Sequence, residues 1–399
     1  MDTPKPPVRG RYSIRNPLAN ALFRSMDALL SVCARSQLGV QPEPPPRSIL
    51  ISDIAHLGDI LMATSILPVL KSAFPDCRIG FLVGSWSKPL LSGHPLVDDI
   101  HVLDHWMHNR SALSRVKKFQ QYRRTRREAL RQIKAAHYDV AVDLYWNFPN
   151  TLPLLWQAKI PRRIGYESGG FGPLATDCLP FGDKRLHASQ RFLNLIKTLP
   201  LRDCDTRELA PSLPPLNSSD PDVAVFEEEL RSRGLQGKDF LVFHVGVVDR
   251  FREWPSQRWR QLAEQFVGQG HTLFFTGSGD KDQALIQEIT EGLGNCVNLC
   301  NRLKWSGFVA AIARARLLVC VDTVAAHLAA AAGTPCAVVT AGRWPYLWRP
   351  LGPDTRVLME PVPCAPCHRN LGCEGMECIR NVTVEAVYSA AQALLDAES

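Results

Sequence analysis

The stretch Leu317-Leu-Val-Cys-Val321, followed at once by Asp322-Thr-Val-Ala-Ala-His327, decides the reading of the fold. Five apolar residues in a row read as a strand buried on both faces, as in a parallel sheet. The small residues from Ala325 to Ala332 read as a helix, and Gly333-Thr-Pro335 stops it. Asp322 and Thr323 therefore fall where a strand ends and a helix begins. An open α/β sheet binds its ligands at that end, and the free N–H groups of the helix favour phosphate. The plainer alternative makes Asp322 an N-cap and His327 a core histidine.

The same alternation extends outward in both directions. Upstream, strands are expected at Phe240–Val245, His271–Thr276 and Cys296–Leu299, with helices at Pro255–Gly268, Asp280–Gly292 and Trp305–Ala315. Ala337–Thr340 completes that strand set. Nearer the N-terminus, Ile49–Ile51, Arg78–Val83, Ile100–Leu103 and Tyr138–Leu144 read as strands, and Asp59–Phe74 as a helix closed by Pro75. Strands alternating with helices imply parallel, doubly wound sheets. The Pro-, Ser- and Asp-rich segment 200–222 reads as a linker. The expected organisation is an N-terminal extension (1–46), a Rossmann-like domain (47–199), the linker (200–222) and a second Rossmann-like domain (223–399). A cleft between the two is expected to hold the chemistry.

The 399 residues are 45% hydrophobic, enough for two cores. No apolar run reaches the ~20 residues of a membrane-spanning helix. The polar, proline-rich start lacks the apolar region of a signal peptide, so a cytoplasmic location is expected. In the extension, Leu18, Leu22, Met26, Leu29, Leu30 and Cys33 form an apolar helical stripe. It is expected to pack on the first domain, with a membrane surface as the alternative. The net charge of +7 is local: residues 115–134 hold nine Lys/Arg and one Glu. Phe119, Tyr122, Arg126, Leu130 and Ile133 fit helical spacing there. A solvated face explains most charge runs, whereas the functional reading is a docking surface for anionic lipid or an anionic acceptor. No nucleic-acid-binding module accompanies the patch, so nucleic acid is not an expected partner.

Three loops carry residues fit for chemistry. In Ser52-Asp-Ile-Ala-His-Leu-Gly-Asp59, a carboxylate at a strand end can take a proton from a hydroxyl. In His244-Val-Gly-Val-Val-Asp-Arg-Phe-Arg-Glu-Trp-Pro255, Gly246 permits close backbone approach and Arg252 offers charge to a diphosphate. In Thr276-Gly-Ser-Gly-Asp280, Asp280 or Asp282 stands where dinucleotide folds bind ribose hydroxyls. For each, a glycine turn, helix cap or surface arginine is the competing explanation.

Taken together, these residues resemble glycosyltransferase family 9, the heptosyltransferase-like enzymes of GT-B fold. The resemblance spans roughly residues 48–390 and rests on motifs in order: Leu57-Gly-Asp59, Arg252-Glu-Trp-Pro255, Asp322 to Ala329, and Pro363-Cys-Ala-Pro-Cys367 with Glu377-Cys378. It implies an inverting transfer of a sugar, expected to be heptose from ADP-heptose, to a glycolipid acceptor of the cell envelope. Asp59 would be the general base and Arg252 the diphosphate ligand. Asp280 would bind ribose, and Gly246, Asp322, Thr323 and His327 would complete the donor site. No cofactor is required by that scheme. Peripheral attachment to the anionic inner-membrane surface fits such an acceptor. The chain departs from the family at Val324, where relatives have glycine, at Arg252, where they have lysine, and at Asp53, where many have a basic residue. A nucleotide-sugar epimerase and a catalytically degenerate sugar-nucleotide binding protein or scaffold are the competing functions.

Twelve cysteines in a cytosolic chain are expected to be reduced. Cys364, Cys367, Cys373 and Cys378, with His368 alongside, have the spacing of a tetrahedral thiolate site. A structural iron or zinc ion is the expectation, iron entering because some relatives are said to carry it. Four packed thiols are the alternative.

Overall fold

The computed structural model describes residues 12, 16–34, 45–183, 185–201, 210–247, 249–342, 346–367 and 372–397. These fall into two compact units, one ending at Leu201 and the other starting at Ala210.

The first unit opens with α1 (Pro17–Ala34), β1 (Ser48–Ser52), α2 (Leu57–Ala63), α3 (Leu67–Ala73) and β2 (Arg78–Val83). It continues through α4 (Lys88–Leu91), β3 (Asp99–Val102), α5 (Arg115–Ala136), β4 (Val140–Asp143) and α6 (Leu152–Gln157). β5 (Arg162–Tyr166), β6 (Asp177–Leu179) and α7 (Ala188–Ile196) complete it. The second unit runs α8 (Pro221–Ser232), β7 (Phe240–His244), α9 (Ser256–Gly268), β8 (Thr272–Thr276), α10 (Asp280–Thr290) and β9 (Cys296–Asn298). α11 (Trp305–Arg314), β10 (Leu317–Val321), α12 (Val324–Ala332), β11 (Cys336–Val339), β12 (Thr355–Leu358), α13 (Glu377–Arg380) and α14 (Val384–Ala397) follow.

Each unit holds one parallel six-stranded sheet, ordered β3-β2-β1-β4-β5-β6 in the first and β12-β11-β10-β7-β8-β9 in the second. The second order, read from its other edge, matches the first. Both are the doubly wound arrangement, with the strand order reversing between β1 and β4 and between β7 and β10. All five residues of β1 and of β10 are buried, as strands covered by helices on both faces must be. α12 ends at Gly333, whose φ of 70° gives the left-handed cap that the sequence asks for.

Several expectations are corrected. The helix expected from Asp59 starts at Leu57, so Asp59 is its third residue. β12 adds a strand beyond the last one expected, and β5 and β6 extend the first sheet. The stripe on α1 does not pack as expected. Leu18, Leu22 and Leu29 are exposed, whereas Phe23 and Asp27 are buried. Phe23 packs against the rings of Phe148 and Phe171, at 5.0 and 5.9 Å, over Gly170, where a Cβ would meet its ring at 2.5 Å. Asp27 accepts bonds from Tyr12 Oη and the Phe171 N–H, both at 2.9 Å. The side chain of Cys33 lies outside the described residues. In the basic helix α5, Ile133 is buried, while Phe119 is exposed.

Candidate functional site

Each sheet has its own switch point, and the two carry different chemistry. In the first unit, the loop after β1 leads into α2, and the loop after β4 runs beside it. The Asp53 N–H donates to Leu82 O at 3.1 Å, which continues the sheet pairing one residue past β1. Asp53 Oδ1 then accepts the Ala55 N–H at 2.9 Å. Asp59 Oδ2 accepts the His56 N–H at 2.9 Å, so its carboxylate folds back over the start of α2. On the neighbouring strand, Asp143 accepts from the Thr151 N–H at 2.7 Å and from the Tyr145 N–H at 3.3 Å. Asp53, Asp59 and Asp143 are all buried.

Burial removes water from these carboxylates and favours their neutral forms. Burial pushes Asp53 well above the ordinary carboxylate range, and the charges of Asp59 and then Asp143 add to the effect. Burial also raises Asp143 to about 6, against the lowering effect of its bonds from Thr151, Tyr145 and Leu152. Tyr145 is raised by burial and by the charges of Asp59 and Asp53. Beside these residues, the His108 ring stands edge-on to Tyr145 at 5.1 Å and to His56 at 5.7 Å. Arg110 Nη2 donates to His56 Nε2 at 3.1 Å. The result is a buried carboxylate corner with one arginine at its margin.

In the second unit, the loops after β7 and β10 meet at Arg252. Its Nη1 donates to Asp322 O at 3.0 Å and lies 3.6 Å from Asp322 Oδ2. Among the described residues both contacts use Nη1, and the guanidinium's second edge can address an anion. Thr323, not Asp322, is the N-cap of α12, and its side chain accepts the Ala325 N–H at 3.3 Å. Val324 is the first residue of that helix. His327 is buried one turn on, and burial lowers its pKa. It is thus a neutral interior histidine facing the Arg252–Asp322 pair.

Gly246 serves a different neighbour from the one its position suggests. A Cβ there would lie 2.0 Å from Asp282 Oδ2, so the missing side chain admits the Asp282 carboxylate. Asp282 accepts the Ser278 N–H at 2.9 Å and is buried, whereas Asp280 is exposed at the start of α10. His244, at the end of β7, meets Thr276 Oγ1 at 2.9 Å, and burial lowers its pKa to about 4.

The structure brings Arg252, Asp322, Thr323 and His327 together, with Gly246 and Asp282 one loop away. The sequence reading missed Asp143, Tyr145, His108 and Arg110. The rule that ligands gather at strand C-termini points to Asp143 and Tyr145; no sequence signal marks His108 or Arg110.

The C-terminal cysteines gather loosely around Gly342. The Cys367 N–H donates to Gly342 O at 2.6 Å, and a Cβ on Gly342 would lie 3.5 Å from that of Cys378. The Cys378 thiol is pushed up by burial and, secondarily, by the nearby thiols of Cys373, Cys364 and Cys367. Among the described residues, no three His, Cys, Asp or Glu side chains converge as a ligand set. His368 lies outside the described residues. Among the described residues, no helix is long and apolar enough to cross a membrane.

Comparison with known proteins gives one consistent pattern. The model of glycosyltransferase family 9 (heptosyltransferase) matches residues 126–375. Lipooligosaccharide heptosyltransferase 2 of Haemophilus influenzae is 26% identical over 325 residues, 78% of this chain and 88% of that protein. The crystal structure of a family 9 glycosyltransferase from Veillonella parvula superposes with a TM-score of 0.75 at 22% identity, covering 90% of this chain and 99% of that one. The ADP-heptose LPS heptosyltransferase II of E. coli gives 0.67 at 22% identity, covering 88% and 99%. The iron-containing dodecameric glycosyltransferase TibC of E. coli gives 0.51 at 12% identity, covering 90% and 79%.

Proposed function

The chain belongs to glycosyltransferase family 9, and from that premise we propose that it transfers heptose from ADP-heptose to a lipopolysaccharide-core or related cell-envelope glycolipid. The observation that carries this reading is the contrast between the two switch points. One offers a buried carboxylate for an acceptor hydroxyl, and the other offers an arginine and a helix N-terminus for a diphosphate.

The first unit is read as the acceptor domain and the second as the donor domain. In the proposed reaction, Asp59 takes the proton of the acceptor hydroxyl. The hydroxyl oxygen forms the new bond to the anomeric carbon, and the bond from that carbon to the diphosphate oxygen breaks with inversion. The electron pair leaves on ADP. Arg252 and the N–H groups at the start of α12, with the Thr323 hydroxyl, receive the growing charge. Asp322 holds Arg252 in place, and the neutral His327 supports the pair without adding charge. Asp280 is read as the ribose ligand at the mouth of the β8 loop.

Cys364, Cys367, Cys373 and Cys378 are read as holders of a structural iron or zinc ion. Cys378 lies near enough to Cys373, Cys364 and Cys367 for their charge to raise its thiol, and a thiolate tetrahedron is the arrangement such ions take. Binding would require the sulfurs to close around the ion, and the ion would tie the 364–378 segment to the loop after β11.

The test is acceptor-dependent release of ADP from ADP-heptose by the purified protein, with a lipid-free core oligosaccharide as acceptor. Release only when both substrates are present is the expected result. Conversion of the sugar nucleotide without an acceptor would point to an epimerase. Tight nucleotide binding without turnover on any acceptor would leave a binding protein, and Val324 would then be the first residue to revert to glycine.

A further inference from the structure

The helix α1 has two apolar faces, and only one is covered. Phe23 and Asp27 hold it to the first unit. On the opposite side, Leu18, Leu22, Leu29 and Val32 are 81%, 68%, 71% and 73% exposed. Their spacing of four, seven and three residues puts them on one stripe of the helix. Large contiguous apolar patches on a protein surface mark sites of contact with membranes or partners.

The chemistry around α1 bears on what this stripe can meet. Leu30 of α1 and Trp156 of α6 pack on one small cluster, Leu152, Leu174 and Ala175. α6 in turn adjoins α5: Arg126 Nη2 donates to Gln157 Oε1 at 2.6 Å, and Tyr122 and Leu130 pack with Leu154 and Leu155. α6 therefore links the two: it adjoins α5 directly and shares with α1 the cluster around Leu174. On its solvent side α5 carries Val116, Phe119, Arg123 and Arg127 along one stripe, all exposed. An exposed apolar stripe, together with a basic helix on the same unit that carries interspersed aromatic and aliphatic side chains, is the composition that binds anionic bilayers. A second copy of the chain is a poor occupant, because it would set its own basic helix against this one.

We infer that the exposed stripes of α1 and α5, linked through α6, form a membrane-docking surface. Leu18, Leu22, Leu29 and Val32 enter the boundary between headgroups and acyl chains, while Arg123, Arg124 and Arg127 engage anionic headgroups. The inference deepens the proposed use of a glycolipid acceptor and rests on that reading for the choice of a bilayer as occupant.

Sedimentation of the full chain with phosphatidylcholine vesicles, with and without phosphatidylglycerol, tests it. The wild type should bind the anionic vesicles, with part of the binding surviving high salt. A Leu18→Gln, Leu22→Gln, Leu29→Gln, Val32→Gln variant should bind on the order of ten-fold more weakly or worse, and salt should abolish what remains. Its melting temperature and its transfer to a lipid-free acceptor should match the wild type, because those side chains touch solvent. An Arg123→Gln, Arg124→Gln, Arg127→Gln variant should lose the preference for anionic vesicles. Wild-type binding by the α1 variant, or no vesicle binding by the wild type, would overturn the inference. So would a wild-type dimer that the α1 substitutions split while vesicle binding persists. Vesicle binding by a protein that transfers no sugar would sink the proposed function and leave this inference standing.

Discussion

The two switch points share a topology and differ in almost every side chain. Between β1 and β4, three carboxylates crowd into a buried corner, and burial, reinforced by the charges of Asp59 and Asp143, holds Asp53 well above the usual range. Between β10 and β7, an arginine bridges two loops and a threonine caps the start of a helix. The backbone offers the same loops and strand ends in both places. On the proposed reading, the side chains decide whether the corner takes up protons or holds an anion. Function therefore resides in the residues grafted onto each switch point, not in the fold that repeats.

The sharpest way to break this contrast is to neutralise the acidic corner. Asp59→Asn keeps an oxygen to accept the His56 N–H, so the fold should survive. Turnover should fall by roughly two to four decades, the scale of a lost general base. Steady-state rates of the purified variant check this, and unchanged turnover would remove Asp59 from the chemistry. The matching change in the other unit is Arg252→Ala. It should weaken ADP binding by roughly ten- to a hundred-fold, the range for hydrogen bonds to charged groups, and leave adenosine binding nearly unchanged. Calorimetry with both ligands decides, and equal losses would reduce Arg252 to a strut for Asp322.

Smaller effects sharpen the comparison. Cys367→Ser should abolish stoichiometric iron or zinc and lower the melting temperature by roughly 2–4 °C per kcal/mol lost, with donor affinity retained. Elemental analysis of chelator-free protein is the check, and freely titratable thiols with no metal would leave a packed thiol loop. Asp143→Asn should change how stability depends on pH. The folded-state pKa of Asp143 is raised from 3.8 to about 6, so its native state holds the proton more tightly than the unfolded chain does. Its stabilising contribution is full below the lower value and is lost as pH rises through the upper one. The melting temperature of Asp143→Asn relative to wild type should therefore climb across that window. A constant offset would mean that Asp143 does not titrate there.

Much of the fold was legible because buried parallel strands are nearly continuous apolar runs. Arg78–Val83 and Leu317–Val321 were read with their observed ends. β5 was missed because two of its five residues are arginines, which look like surface until the fold supplies their partners. Arg162 pairs with Asp177 at 3.0 Å, and the buried Arg163 donates to Leu174 O at 2.6 Å. β6 and β12 are short, partly exposed strands with little apolar signal. The α1 stripe was read onto the wrong face because apolar periodicity does not say which side is covered. A polar anchor, Asp27, and one phenylalanine set the packed side. In the site, the motif residues were visible one loop at a time. The carboxylate cluster was not, since Asp53 and Asp143 lie 90 residues apart and meet only when β4 pairs with β1.

The central claim is that the acidic corner serves the acceptor and the basic corner serves the donor. Calorimetric titration of ADP into wild type, Asp59→Asn and Arg252→Ala, run side by side, tests it most directly. The account predicts wild-type ADP affinity for Asp59→Asn and a large loss for Arg252→Ala. Equal loss in both, or loss in Asp59→Asn alone, would contradict it.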